Sequence, residues 1–466
     1  VKKNADRERV TEAKSGRRRR WLVWGMVVSI IVLLFSPFLL FRAVNRAKFE
    51  RKVAELKAAG YPVSLDVLDA AYVLPEGVEN AADVYLQAFR AYVEPNEAQM
   101  EFLPARGKFI STDEMPPYPP EVINAIHLSI EKNKDCVELL DQASRMERCL
   151  FPRTRSSVFF STDYLLPLKQ ACQLQTERNL YFAQTGQNEA LYESTLTLCG
   201  LTHALSEQPM LIDHLVVTAI KAMVYYGLIE NLNFAQFTDE QLAELQNQVK
   251  SMRDTRTSRS SIINERAGMI DALSADGFSA GSFAAILPAT SKLQRFTSAM
   301  YRFSGFKDCD AVLLLEYAER YLKILQKPAH EQTIEIEKIA AEVSSYSLAH
   351  IELLDTLSAY NKVHSINLRV AGGLMCAETA LAVERYRLKY GKLPGLVTEL
   401  VPEFLGAVYL DPFDGKPLRY VLRAEGGYMI YSIGEDGVDN GGVDMHHKVT
   451  GAGGAPEHDW PFTVRR

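Results

Sequence analysis

The chain has 466 residues, 47% of them hydrophobic and 24% charged, with 27 glycines and 20 prolines. This composition excludes wholesale disorder and collagen-like or low-complexity architecture, and the length predicts about three units. Residues 1–20 carry nine Lys/Arg against three Asp/Glu, a net of +6, so the formal charge of −6 for the whole chain leaves −12 on residues 21–466. An acidic body is the wrong surface for phosphate, and no nucleic-acid partner is expected.

Residues 21–41, WLVWGMVVSIIVLLFSPFLLF, contain no charge. As a helix they cover the roughly 30 Å hydrocarbon core of a bilayer. Trp21 and Trp24 stand where an interfacial aromatic belt belongs, directly after Arg17, Arg18, Arg19 and Arg20. A cleaved signal peptide has a shorter apolar run and a small-residue cleavage site, and Phe41-Arg42-Ala43-Val44 does not match one. Nine basic residues precede the run, and six follow within twenty residues: Arg42, Arg46, Lys48, Arg51, Lys52 and Lys57. The imbalance predicts a single-pass protein of the cell (inner) membrane with its N-terminus inside. Residues 1–20 are then a basic cytoplasmic tail and 21–42 a transmembrane helix in contact with lipid. The bulk of the chain is periplasmic or extracellular.

Residues 43–364 read as a mainly α, irregular antiparallel helical array. Residues 44–59 continue the first helix up to the breaker Gly60-Tyr61-Pro62, and short helices follow at Ser64 and at 79–92. Prolines mark 95–119 as a loop or strap, and the apolar period recovers over 121–146. Residues 162–184 and 188–205 form a helical hairpin about Thr185-Gly186-Gln187, with Gly186 suited to a helix C-terminus. Another apolar helix covers 212–232, and Thr238-Asp239-Glu240-Gln241 has the spacing of a capping box. Helices are predicted again at 262–273, 311–325 and 333–361, with 274–306 a long loop or surface lid. No fixed-period repeat is present.

None of the six cysteines makes a CxxC pair, so no zinc signature is present. Cys172 and Cys199 are equidistant from the 185–187 turn, which sets them at one level on neighbouring helices. In an oxidising compartment they are a candidate disulfide, the alternative being two buried thiols. The sequence has no GxSxG, HExxH, Walker or dinucleotide fingerprint, and no residue takes a catalytic assignment. His203 and His214 read as ordinary polar or packing residues. His446, His447 and His458 read as part of a Gly-rich flexible tail, 445–466.

The last hundred residues carry a more specific pattern. A helix is predicted over 367–390, closed by Gly391-Lys392-Leu393-Pro394, then a short helix at 396–403 and a turn-rich Asp411-Pro412-Phe413-Asp414-Gly415. Alternating segments at 418–423 and 428–433 flank Glu425-Gly426-Gly427 and predict a β-hairpin. An acidic glycine loop, 434–444, follows. The order of ALAVERYRLKYGKLP (380–394), DPFDGKPLRY (411–420) and YSIGEDGVDNGG (431–442) resembles the C-terminal half of type II secretion major pseudopilins. The chain is similar to a group of bacterial single-pass membrane proteins that carry this module behind a helical body. The resemblance implies a small α+β module over 365–444 and a calcium loop. In that loop Asp436 matches one carboxylate ligand, Asp439 or Asp444 supplies a second, and the carbonyls of Ser432 and Ile433 assist. At the N-terminus the chain departs from pseudopilins: Gly16 is followed by four arginines, and the apolar run has no Glu.

Two functional classes follow. The first is a membrane-anchored extracytoplasmic interaction or scaffold protein with protein partners, associated with an envelope or secretion assembly. The alternative is an extracytoplasmic enzyme with its site in the helical domain.

Overall fold

The computed structural model describes residues 2–106, 117–153, 155–156, 159–160, 162–208, 210–253, 256–274, 305–346, 351–443 and 459–466. The predicted lid over 274–306, the histidines at 446, 447 and 458, and Asp444 therefore lie almost wholly outside the described residues. The chain is mainly helical with a small three-stranded antiparallel sheet near its C-terminus, and it divides into two compact units.

The first unit comprises Val1–Tyr61, Ala272–Tyr317 and Val343–Thr356. Helix α1 (Lys2–Ala58) runs through the apolar stretch without interruption, Pro37 included. Beyond that stretch, Arg42 and Arg46 reach Asp308 at 3.7 and 3.8 Å, and Phe41 meets Phe306 edge-on with ring centroids 5.8 Å apart.

The second unit comprises Pro62–Asp271, Ala318–Glu342 and Leu357–Arg466. Helix α2 (Leu65–Ala71) is capped by the Ser64 side chain and α3 (Ala81–Ala91) by Asn80. A one-turn helix α4 (Glu97–Met100) lies within the predicted strap. The predicted helix over 121–146 is two, α5 (Pro120–Lys132) and α6 (Lys134–Ala143). The break falls at Asn133, whose buried side chain trades hydrogen bonds with the backbone of Val93 (2.7 and 3.1 Å) and so ties the joint to the end of α3.

Helices α7 (Leu165–Gln184) and α8 (Asn188–Leu201) form the predicted hairpin, Gly186 holding φ +70° at the turn. Helix α9 (Leu211–Phe234) packs on both. Buried polar groups fix this register. The Gln175 amide donates to the Ser194 carbonyl at 2.9 Å, and Asn231 donates to Thr195 Oγ1 at 2.9 Å. Buried donors paired in this way single out one packing, because slipping a turn strands each of them in the core. Gly200 allows α8 to close on α6, since a Cβ there would overlap the Ser144 carbonyl. Helix α10 (Asp239–Met252) begins at Thr238 with the predicted capping box complete.

Cys172 and Cys199 are both free and fully buried. Burial alone raises the Cys172 thiol well above its ordinary value, so it behaves as a small apolar side chain.

After α11 (Arg256–Ser274) come α12 (Phe306–Ile324), α13 (Ala329–Ser344) and α14 (Ile351–Tyr390). The predicted helix over 333–361 ends with α13, and the chain then runs through 351–390 as one helix of 40 residues. The domain boundary drawn at 364/365 therefore falls inside a helix. Gly372 and Gly373 let that helix approach Pro412 and Ser432 on one side and the Tyr225 ring of α9 on the other. Leu374, Ala377 and Leu381 share a single core with the helical array and with the sheet.

Strands β1 (Arg155–Ser156) and β2 (Phe159–Phe160) make a minimal ribbon. The main sheet has the order β3 (Arg419–Leu422), β4 (Tyr428–Ser432), β5 (Trp460–Val464), all antiparallel. The β3–β4 hairpin is the predicted one. Strand β5 corrects the flexible-tail assignment of 445–466: Ile430 pairs with Phe462 and Tyr428 with Val464, and Trp460, Phe462 and Val464 are buried. A strand placed after a glycine-rich stretch has no local pattern to announce it; its partners lie on β4 and α9.

Candidate functional site

Within the second unit lies a cavity of about 350 Å³, a volume in the range of small-molecule sites. Three helices supply its polar groups. On α9, His214, Thr218 and Lys221 recur at i, i+4 and i+7, one polar stripe on a largely apolar helix. His364 and Asn367 on α14 and Ser258 on α11 face the same space, along with Arg253 and Arg259. The remaining wall holds Gln326 and Gln332 and is otherwise apolar, including Met252, Leu325, Leu368, Leu374 and Met375.

Asn367 organises the polar groups. Its carbonyl oxygen lies 2.9 Å from His214 Nε2 and accepts from the Thr218 hydroxyl at 3.2 Å, while its amide donates to Ser258 Oγ at 3.2 Å. Since that oxygen can only accept, His214 carries its proton on Nε2 and presents Nδ1 as an acceptor. Nδ1 is buried without a hydrogen-bond partner, and so is His364 Nε2. Burial drives the His214 imidazole down to about 4, with the Asn367 contact opposing and Lys221 assisting. Burial likewise brings His364 to about 4. Both rings are neutral at neutral pH. Their folded values lie below the ordinary 6.5, so their effect on stability is a penalty that grows as pH falls from 6.5 to 4. Asn367 separates Ser258 from His214, so this arrangement does not pair a hydroxyl nucleophile with a base.

Among the described residues the lining contains Lys221, Arg253 and Arg259 and no Asp or Glu. Arg253 is committed elsewhere, with Nε 3.0 Å from the Glu378 carboxylate and a guanidinium N–H donating to Tyr409 at 3.0 Å. Lys221 is half-buried and Arg259 exposed, which places Arg259 at the solvent edge.

In the acidic loop the described carboxylates Asp436 and Asp439 both accept hydrogen bonds. Asp436 accepts from the Val438 amide (3.0 Å) and the Asn440 side chain (3.0 Å). Asp439 accepts from the Tyr431 hydroxyl (2.9 Å), the Gly441 amide (3.1 Å) and Arg419 (3.3 Å). Arg419 also reaches Asp411 at 2.8 Å and Asp414 at 2.6 Å, so a guanidinium stands among the acids. Among the described residues no group of three or more His, Cys, Asp or Glu is arranged to hold a metal ion. As the calcium loop that the resemblance implies, the acidic loop is expected to raise the melting temperature of the full chain in millimolar calcium, with chelator reversing the rise; an unchanged melting temperature overturns that reading.

Sequence reasoning missed the cavity. It passed over His214 as an ordinary residue and did not weigh His364 or Asn367. The available signal was the polar stripe His214-Thr218-Lys221 on an apolar helix. Helix α9 and residues 357–390 are also long and apolar enough to cross a membrane, but 56% and 67% of their apolar windows are buried among neighbouring helices. The chain matches no protein-family model, no curated protein and no solved structure.

Proposed function

We propose that this chain is a single-pass membrane-anchored protein whose folded body lies outside the cytoplasm and acts by binding. The observation that carries the reading is on α1. The described apolar side chains of its 21–41 run face outward rather than into a core, with Trp24 67%, Leu33 71% and Leu40 67% exposed. A run of this length with outward-facing apolar side chains needs an apolar surrounding, and lipid supplies one. The arginines before it orient the N-terminus to the cytoplasm. Binding is favoured over catalysis by the cavity, where the Thr218 and Ser258 hydroxyls are bonded to Asn367 and not to a histidine. An association with an envelope or secretion assembly rests on the likeness of residues 380–442 to the major pseudopilins.

Alkaline phosphatase, active only outside the cytoplasm, tests the topology when fused after residue 466. The expected result is an active fusion in the carbonate-resistant membrane fraction, and an inactive, soluble fusion once residues 2–42 are deleted. An inactive fusion of the intact chain, or one recovered in the soluble fraction, overturns the reading.

A further inference from the structure

We infer that the cavity between α9, α11 and α14 binds a small neutral molecule with an apolar body and one hydroxyl group. The inference deepens the binding reading and rests on it, but not on the membrane topology, which the phosphatase fusion tests separately. Most polar side chains on this patch already serve one another. Thr218 and Ser258 are bonded to Asn367, and so is His214 Nε2. His214 Nδ1 and His364 Nε2 have no partner, on lining residues each 5% exposed. Buried polar atoms are costly while unpaired, and a ligand that pairs with them removes that cost. Nδ1 of His214 accepts, so the ligand has to donate there, which a carboxylate, ether or ketone cannot do. A hydroxyl donates and also accepts, so it suits His364 Nε2 whichever ring nitrogen carries the proton. An ammonium donates too, but against an apolar wall it would lose its water without return. Leu325, Leu368, Leu374 and Met375 supply surface for the rest of the molecule. Water alone would pair with the nitrogens and leave that apolar surface uncovered, in a volume of about 350 Å³.

The probes are 4-(trifluoromethyl)benzyl alcohol and its methyl ether, which share an apolar body and an oxygen but differ in the hydrogen-bond donor. They are titrated by 19F NMR against the full chain in phosphatidylcholine nanodiscs, with empty nanodiscs subtracted. The alcohol is expected to bind about threefold to tenfold tighter than the ether, the worth of one neutral hydrogen bond. His214→Phe keeps a ring and removes Nδ1, and is expected to erase that ratio while leaving the ether affinity unchanged. Ala371→Trp, which fills the cavity, is expected to abolish binding of both probes. The matching benzoate and benzylamine are expected to bind more weakly than the alcohol. Equal affinity for alcohol and ether, an unchanged ratio in His214→Phe, or tighter binding of the benzoate or benzylamine would overturn the assignment. So would unchanged binding by Ala371→Trp, or no binding of the alcohol at millimolar concentration. If a variant does not fold, 15N-labelled histidine in the wild type decides. The alcohol is then expected to move an Nδ1 resonance that the ether leaves in place, and any other pattern overturns the assignment.

Discussion

Ending the chain at residue 458 is expected to unfold the second unit or to cut its stability to a small remainder. Strand β5 buries Trp460, Phe462 and Val464, each worth about 1.5–3 kcal/mol in lost burial. The sum approaches the whole stability of an ordinary domain, about 5–15 kcal/mol. Hydrogen bonds go with it. The Tyr225 hydroxyl donates to the Pro461 carbonyl at 2.8 Å, and the Asn233 side chain bonds both Thr463 and Arg465 at 2.8 Å. These contacts join β5 to α9, so the damage spreads into the helical core. Phe462→Ala gives a graded version, with a loss of about 3–5 kcal/mol. Urea unfolding followed by near-ultraviolet circular dichroism measures both. A truncated chain with an unchanged midpoint would mean that β5 does not belong to the fold.

Arg106→Ala is expected to cost about 3–5 kcal/mol at pH 8, because it strands a buried carboxylate. Arg106 makes a two-pronged pair with Glu177, both contacts at 2.9 Å, and the two side chains are 6% and 0% exposed. Burial pushes the Glu177 carboxyl up to about 7 even though Arg106 pulls it down, so without the arginine it rises further. A carboxyl whose folded value is raised above the ordinary 4.5 favours folding when protonated, and that contribution is lost as pH rises toward the folded value. The deficit of Arg106→Ala against the wild type is therefore larger at pH 8 than at pH 5. The double variant Arg106→Leu/Glu177→Leu removes both charges and is expected to recover most of the loss. Arg106 also stacks on the Tyr92 ring at 5.5 Å, a loss that does not titrate below pH 8, so the pH dependence isolates the charge. A deficit that is the same at pH 5 and pH 8 would show that Glu177 is not what the arginine stabilises.

Local physics made much of the secondary structure legible. The Thr238 capping box, the Gly186 turn and the β3–β4 hairpin are each specified within a few residues, and each forms as expected. Expectations failed where a distant partner decides. Asn133 breaks a helical period because the backbone of Val93, forty residues away, supplies its hydrogen bonds. The helices predicted over 333–361 and 367–390 left 362–366 unassigned, whereas α14 runs through it, and its Gly372 and Gly373 fit against Pro412 and Tyr225. At the candidate site, His214 and Asn367 are 153 residues apart and meet only through helix packing.

The sequence by itself determined that the chain is mainly helical, that an uncharged 21-residue run follows a basic tail, and that a hairpin stands near the C-terminus. These follow from composition, hydrophobic period and turn chemistry, which act over a few residues. Packing between distant segments set the rest: residues 460–464 complete the sheet, Cys172 and Cys199 are buried in the core, and Arg419 stands among Asp411, Asp414 and Asp439. It alone assembled the cavity. Each of these outcomes depends on which surfaces exclude water together, and that is fixed by contacts between segments far apart in the chain.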